Sequence, residues 1–149
     1  MNEEILEFSE KIKNIISGDG MCYFYHVTEK GNGKDILNYG LLLSENRLFS
    51  TTLPIDEEFK KSPIEFLNNE IGGSKLRKQD EVIIIGCSID ETNNLIQENY
   101  YHNENWNQEE EDKYIIPKEY IIGYIDVSEK KFIDNEDYIY YEDYYNYYK

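Results

Sequence analysis

The chain has two histidines and two cysteines, and where they fall limits the chemistry it can carry. His26 and His102 lie far apart and form no i, i+3 or i, i+4 ligand pair, and Cys22 and Cys87 form no CxxC, so the spacing gives no support to a zinc site. A cysteine nucleophile with His26 or His102 as base stays open, because such groups meet only in the fold. Against it, Cys87 lies within the apolar run EVIIIGCSI at 81–89, where a thiol behaves as a small hydrophobe. The GNGK sequence at 31–34 has neither the spacing of a phosphate-binding loop nor a Ser or Thr after its lysine. What remains is the block 23–52, YFYHVTEKGNGKDILNYGLLLSENRLFSTT, which sets His26 where a strand meets a loop and ends on the hydroxyls of Ser50, Thr51 and Thr52. Such junctions aim side chains from a rigid element into a cleft. Each of these residues also has a plainer reading. A strand-end histidine can be a hydrogen-bonded structural residue, Ser50 to Thr52 before Pro54 fit strand propensity and turn bonding, and the acids at 109–112 fit a solvated loop.

The elements that must position these residues follow from hydrophobic period. Ile5, Phe8, Ile12, Ile15 and Ile16 recur at helical spacing, which predicts an amphipathic helix of three to four turns stopped by Gly18 and Gly20. From Met21 to Val27 the period changes to two, with Tyr23, Tyr25 and Val27 on one strand face and Cys22, Phe24, His26 and Thr28 on the other. Both faces are apolar or aromatic, as in a central strand. Gly31-Asn32-Gly33 reads as a turn, Asp35 as a helix cap, and Ile36 to Tyr39 as a short helix closed by Gly40. Short strands follow at 41–43 and 48–53, then a helix from Asp56 to about Ile71 that Pro63 interrupts or restarts and Gly72-Gly73 closes. The run at 81–89 is the strongest strand, apolar on both faces and β-branched. One or two helical turns are expected over 90–97, a polar stretch over 98–113, a turn at Pro117, a buried strand at 120–127 and a short last strand at 131–133. Seven of the 15 tyrosines fall in 134–149, which reads as a helix laid on the domain with Tyr138, Tyr141 and Tyr145 on one face.

Composition bounds the function. At 149 residues the chain has the size of one domain with a core of its own, divided here into an N-terminal helix (1–20), an α+β body (21–133) and a tyrosine-rich acidic segment (134–149). Thirty-one acidic residues against 15 basic ones give a formal charge of −16, which repels nucleic-acid backbones and anionic membranes. The first 20 residues do not read as a secretory signal, no run reaches the length of a membrane helix, and unpaired cysteines fit reduced thiols, so a cytoplasmic protein is expected. The wealth of Asn, Ile, Lys, Glu and Tyr fits an AT-rich bacterial coding sequence.

YHVT, then an Ile-Leu…Gly-Leu helix-turn, then LFSTT together resemble the first half of the ADP-ribosyltransferase fold, whose YHGT-like and STS-like strands line a nicotinamide dinucleotide cleft. EVIIIGCSI with YIIPKEYIIGYIDV is similar to the closing strands of that family, so the resemblance spans about 21–127. It implies an α+β fold of two small antiparallel or mixed sheets packed around a cleft, with the N-terminal helix beside them. His26 corresponds to the first-strand histidine of the diphtheria-toxin-like and poly-ADP-ribose-polymerase-like branch, which hydrogen-bonds the adenine-side ribose, with Thr28 flanking it. Ser50, Thr51 and Thr52 match the Ser-Thr-Ser strand of the arginine-toxin-like branch, and Tyr39 or Tyr25 is the aromatic that stacks on nicotinamide. For the carboxylate that stabilises an oxocarbenium ion the resemblance offers two residues. Glu119 in KEYIIGY resembles the NEYIVY strand of the polymerase-like branch, and Glu111 resembles the first glutamate of a Glu-x-Glu motif whose second position is here Lys113.

The function so implied is NAD-dependent ADP-ribosyl transfer, of toxin or effector type, to a macromolecular acceptor, with NAD as substrate and no metal. A second reading comes from the charge and the tyrosines. It is a small acidic binding protein, an inhibitor, immunity partner or nucleic-acid mimic, that captures a basic partner without catalysis.

Overall fold

A computed structural model describes residues 3–43, 52–63, 70–71, 74–75, 80–93 and 114–140. Ser50, Thr51, Glu111, Lys113 and the stretches 94–113 and 141–149 lie outside the described residues. The chain forms helix α1 (Glu3–Ile15), strand β1 (Met21–Glu29), helix α2 (Asn32–Tyr39), strands β2 (Leu41–Leu43) and β3 (Thr52–Pro54), and helix α3 (Glu57–Lys61). It continues with the short strands β4 (Glu70–Ile71) and β5 (Ser74–Lys75), the long strand β6 (Asp80–Ser88), β7 (Tyr114–Ile116), a 3₁₀ turn at Lys118–Tyr120, β8 (Ile121–Asp126) and β9 (Lys131–Asp134). This is an α+β fold.

Five strands make one antiparallel sheet in the order β3-β1-β6-β8-β9, while β2 with β7 and β4 with β5 form two-stranded antiparallel ladders. The expected pair of small sheets is thereby corrected to one main sheet with two short ladders. The reason lies in β6, whose nine residues are long enough and apolar enough to take a partner on each edge, so strands gather around it. Val82, Ile83 and Ile84 are wholly buried, which requires cover on both faces.

On one face Phe8, Ile12 and Ile15 of α1, with Ile16 just after it, join Tyr23, Tyr25 and Ile84 in one core, and Phe59 of α3 stacks on Tyr25 with ring centroids 5.8 Å apart. On the other face Ile36 and Leu37 of α2, Leu41 of β2 and Ile116 of β7 close over Phe24, Ile83 and Ile85. The alternation expected along β1 is therefore observed. A bulge where β8 faces Ile84 and Ile85 leaves Ile122 as the extra residue between the Ile121 and Gly123 pairings; Ile121 enters the α2-side cluster and Ile122 the α1-side cluster.

The helix after β3 covers Glu57–Lys61, with Asp56 as its cap accepting from the Phe59 amide at 2.9 Å, and it breaks at Ser62 before Pro63, as expected. Its expected continuation over 64–69 lies outside the described residues. Residues 136–140 form turns, in which Asn135 and Asp137 spend their polar groups on local and tertiary bonds, while Tyr141 and Tyr145 of the expected helix lie outside the described residues. Replacing the fully buried Ile12 by Ala removes α1's central contact. Urea denaturation is expected to show a loss of about 2–5 kcal/mol. Glu10→Ala on the exposed side of the same helix should stay within about 0.5 kcal/mol.

Candidate functional site

The α2 face of the sheet holds the half-buried His26, and one carboxylate organises the loop beside it. Glu81 opens the apolar stretch of β6 and is 4% exposed. Its Oε1 accepts hydrogen bonds from the amides of Gly33 at 2.7 Å and Gly31 at 3.1 Å, capping α2 from a strand rather than from within the loop. Asp35, expected as the cap, lies in the first turn of the helix, and the residue before the helix is Gly31 with φ 100°, a left-handed conformation that favours glycine. Gly33 is required for another reason. A β-carbon there would lie 2.7 Å from the Tyr124 ring and 2.8 Å from Glu81 Oε1. Burial, then the charges of Glu81 and Asp126, push the Tyr124 phenol up. The amides of Gly31 and Gly33 are thus already spent on a protein carboxylate and are not free to cradle a phosphate.

His26 pairs with Thr52 on β3 and with Ile83 on β6, so the strand ending YHVT and the strand that closes the FSTT run are neighbours. Thr28 pairs with Glu81 and its Oγ1 accepts from Asn32 Nδ2 at 2.9 Å, which ties the end of β1 to the start of α2. Lys30 donates to Ser128 Oγ at 3.2 Å, and Lys34 is exposed on α2. Tyr39 ends α2 with 80% of its surface exposed, open to a ligand. Tyr25 is excluded from that role, since it is buried on the α1 face against Phe59. Glu119 is exposed in the 118–120 turn, against which α2 lies. Because His26 is level with Ile83 and Tyr124, whereas Ile121 is level with Ile85, the start of β8, two residues after Glu119, stands roughly 10 Å from His26 across the sheet and ~7 Å along it. Ser50, Thr51 and Glu111 lie outside the described residues.

Comparison with protein-family models, with curated proteins and with solved structures gave no match. The chemistry must be read from the residues themselves. Cys22 and Cys87 are direct cross-strand neighbours, four residues along β1 from His26, or ~13 Å, so neither meets it as a nucleophile-base pair. Burial also pushes the Cys87 thiol up, against a hydrogen-bonding contact with Thr92 Oγ1 at 3.1 Å, so it is a protonated thiol at neutral pH. Among the described residues no group of three His, Cys, Asp or Glu could hold a metal ion, and no helix is long and apolar enough to cross a membrane.

A second polar cluster lies at the opposite end of β6. Ser88 and Glu91 form a capping box, with the Ser88 amide donating to Glu91 Oε1 at 3.0 Å and the Glu91 amide donating to Ser88 Oγ at 3.1 Å. The S-x-x-E pattern at 88–91 is the signal for it, masked in the sequence by the apolar Ile89. Tyr140 donates its hydroxyl to the same Oε1 at 2.7 Å. Burial raises the Glu91 carboxyl, but bonds from Tyr140, Ser88 and Tyr120 outweigh it and hold the group below its ordinary 4.5. Conversely, the bond to Glu91, then burial, raise the Tyr140 phenol above 10.0.

The depressed carboxyl contributes stability above its unfolded value and loses it as pH falls through the folded one. The raised phenol contributes below its unfolded value and loses it as pH rises through the folded one. Tyr140→Phe should therefore cost about 0.5–1.5 kcal/mol at neutral pH. In urea titrations across pH that difference should shrink below 4.5 and again above 10.0. Glu81→Gln, which keeps the shape but removes the charge that two amides share, should cost about 1.5–3 kcal/mol by the same measurement at pH 7.

Proposed function

We propose that this chain is an ADP-ribosyltransferase-like protein that uses NAD as substrate and modifies a macromolecular acceptor. The observation that supports this most is the β1–β3 pairing, which sets His26 of YHVT opposite Thr52, the last residue of LFSTT. The β2–β7 ladder, pairing Leu41 with Ile116, then leads the chain into the Glu119 turn beside α2.

In this reading His26 and Thr28 receive the adenine-side ribose and Tyr39 stacks on nicotinamide, while Ser50 and Thr51 are the hydroxyls that the resemblance assigns to dinucleotide binding. Glu119 faces the nicotinamide-side ribose. The two riboses are separated by a pyrophosphate, so His26 and Glu119 serve different ends of the substrate and need not touch. With the α2 amides taken by Glu81, Lys30 and Lys34 supply the positive charge near the pyrophosphate. The glycosidic bond between ribose C1′ and the nicotinamide nitrogen breaks, its electron pair leaves with nicotinamide, and the Glu119 carboxylate stabilises the positive charge that develops on the sugar. An acceptor nucleophile then bonds C1′ and gives up its proton. Glu111, followed by Lys113, is the weaker candidate because a lysine at the second carboxylate position repels the developing cation.

Nicotinamide release from NAD is the test. The wild type is expected to turn over, Glu119→Gln to lower kcat on the order of 100-fold or more, and His26→Ala to weaken NAD binding chiefly through KM. Undiminished turnover in both variants would remove these site residues. A wild type that releases no nicotinamide would sink the catalytic reading and leave the acidic binding protein as its replacement.

A further inference from the structure

The side chain of Glu119 is exposed, but its backbone is held from outside by the chain that follows β9. The Lys118–Tyr120 turn is a single 3₁₀ turn with little cohesion of its own: Tyr120 donates to Pro117 O at 3.0 Å, and Ile121 donates to Lys118 O. The remaining bonds come from 135–139. Asn135 is 4% exposed, and its Nδ2 donates to Lys118 O at 2.9 Å and to Ile121 O at 2.8 Å. Its Oδ1 accepts from the Asp137 amide at 3.1 Å, and its own amide donates to Ile122 O at 2.9 Å. The Ile139 amide donates to Glu119 O at 2.8 Å. Lys118 Nζ reaches Asp137 at 3.2 Å, and the buried Tyr138, its amide on Asn135 O at 3.1 Å, roots the segment in the α1-side core.

The carbonyls of residues 118, 119, 121 and 122 are thus all bound by one five-residue segment. We infer that 135–139 is a latch that fixes the Glu119 turn, and that Asn135 is its positioning residue. The catalytic part of this rests on the function proposed above. A carboxylate that acts on developing charge must be held in place before the charge appears, since misplacement by about 1 Å costs on the order of 100-fold. Asparagine suits the task chemically. Only a neutral amide presents two donors to two carbonyls and an acceptor to an amide at one buried point, whereas an aspartate there would turn an acceptor toward both carbonyls.

Hydrogen exchange and steady-state kinetics on the full chain test the latch together. Asn135→Asp keeps the shape and removes both donors. Ile139→Pro, at a residue 55% exposed, removes the separate donor to Glu119 O and serves if the first variant does not fold. Both are expected to speed exchange at the Tyr120 and Ile121 amides, which Ile139→Ala should leave protected because it keeps the donor. Both should also lower kcat for nicotinamide release on the order of 10- to 100-fold with KM for NAD within about twofold, the opposite split from His26→Ala. Unchanged exchange at these amides in both variants would overturn the latch. Faster exchange with undiminished kcat would overturn the positioning role. A wild type without turnover would instead remove the proposed reaction, and the exchange rates alone would still decide whether Asn135 holds the turn.

Discussion

Burial of β6 on both faces is the constraint that the rest of the structure answers. A strand with Val82, Ile83 and Ile84 fully buried must have neighbours on both edges and cover on both sides. β1 and β8 supply the edges, α1 and α3 one cover, and α2 with the β2–β7 ladder the other. The two covers are unlike in character. The α1 side is closed by large apolar side chains, whereas the α2 side ends in a glycine-rich loop tied to the only acidic residue buried in the middle strand among the described residues, Glu81.

That division explains what could be read from the sequence. The α1 stripe, the two faces of β1, the central place of β6, the end of α2 at Gly40 and the short β9 all express a local period or a local stop signal, and such signals survive without tertiary information. The α2 cap did not, because it comes from a residue on another strand and Asp35 was the only acid in view. Pairing of β2 with β7 was equally hidden: three-residue strands far apart in sequence carry too few side chains to specify a partner. Just after β9, the turns at 136–140 were not legible from tyrosine spacing, because Asn135 and Asp137 offer the backbone other partners and Tyr138 finds its place in the core. Of the candidate site, strand position and face were legible for His26 and Thr28. Distance to Glu119 was not, since it depends on register across three strands.

The acidic composition imposes a further condition. With 31 acidic residues and 15 basic ones, most carboxylates cannot be matched with a cation. Several of those that hold the fold are satisfied by neutral donors instead: Glu81 by two amides, Asp56 by the Phe59 amide, Asp126 by Ser128 and the Glu129 amide, and Glu91 by an amide and the Tyr140 phenol. This gives the abundance of tyrosine a structural logic. A phenol brings apolar area to a core and an uncharged donor to a carboxylate, which a lysine does only by adding a mobile, solvated charge. Bonds of this kind are lost when the carboxylate takes up a proton, whereas salt screens exposed ion pairs such as Lys60–Glu57 at 3.8 Å and leaves neutral-donor bonds largely intact. Where the fold holds a carboxyl below its ordinary value, as at Glu91 and Asp126, acid removes that contribution, and bonds from neutral donors let these acidic residues be satisfied without one cation each.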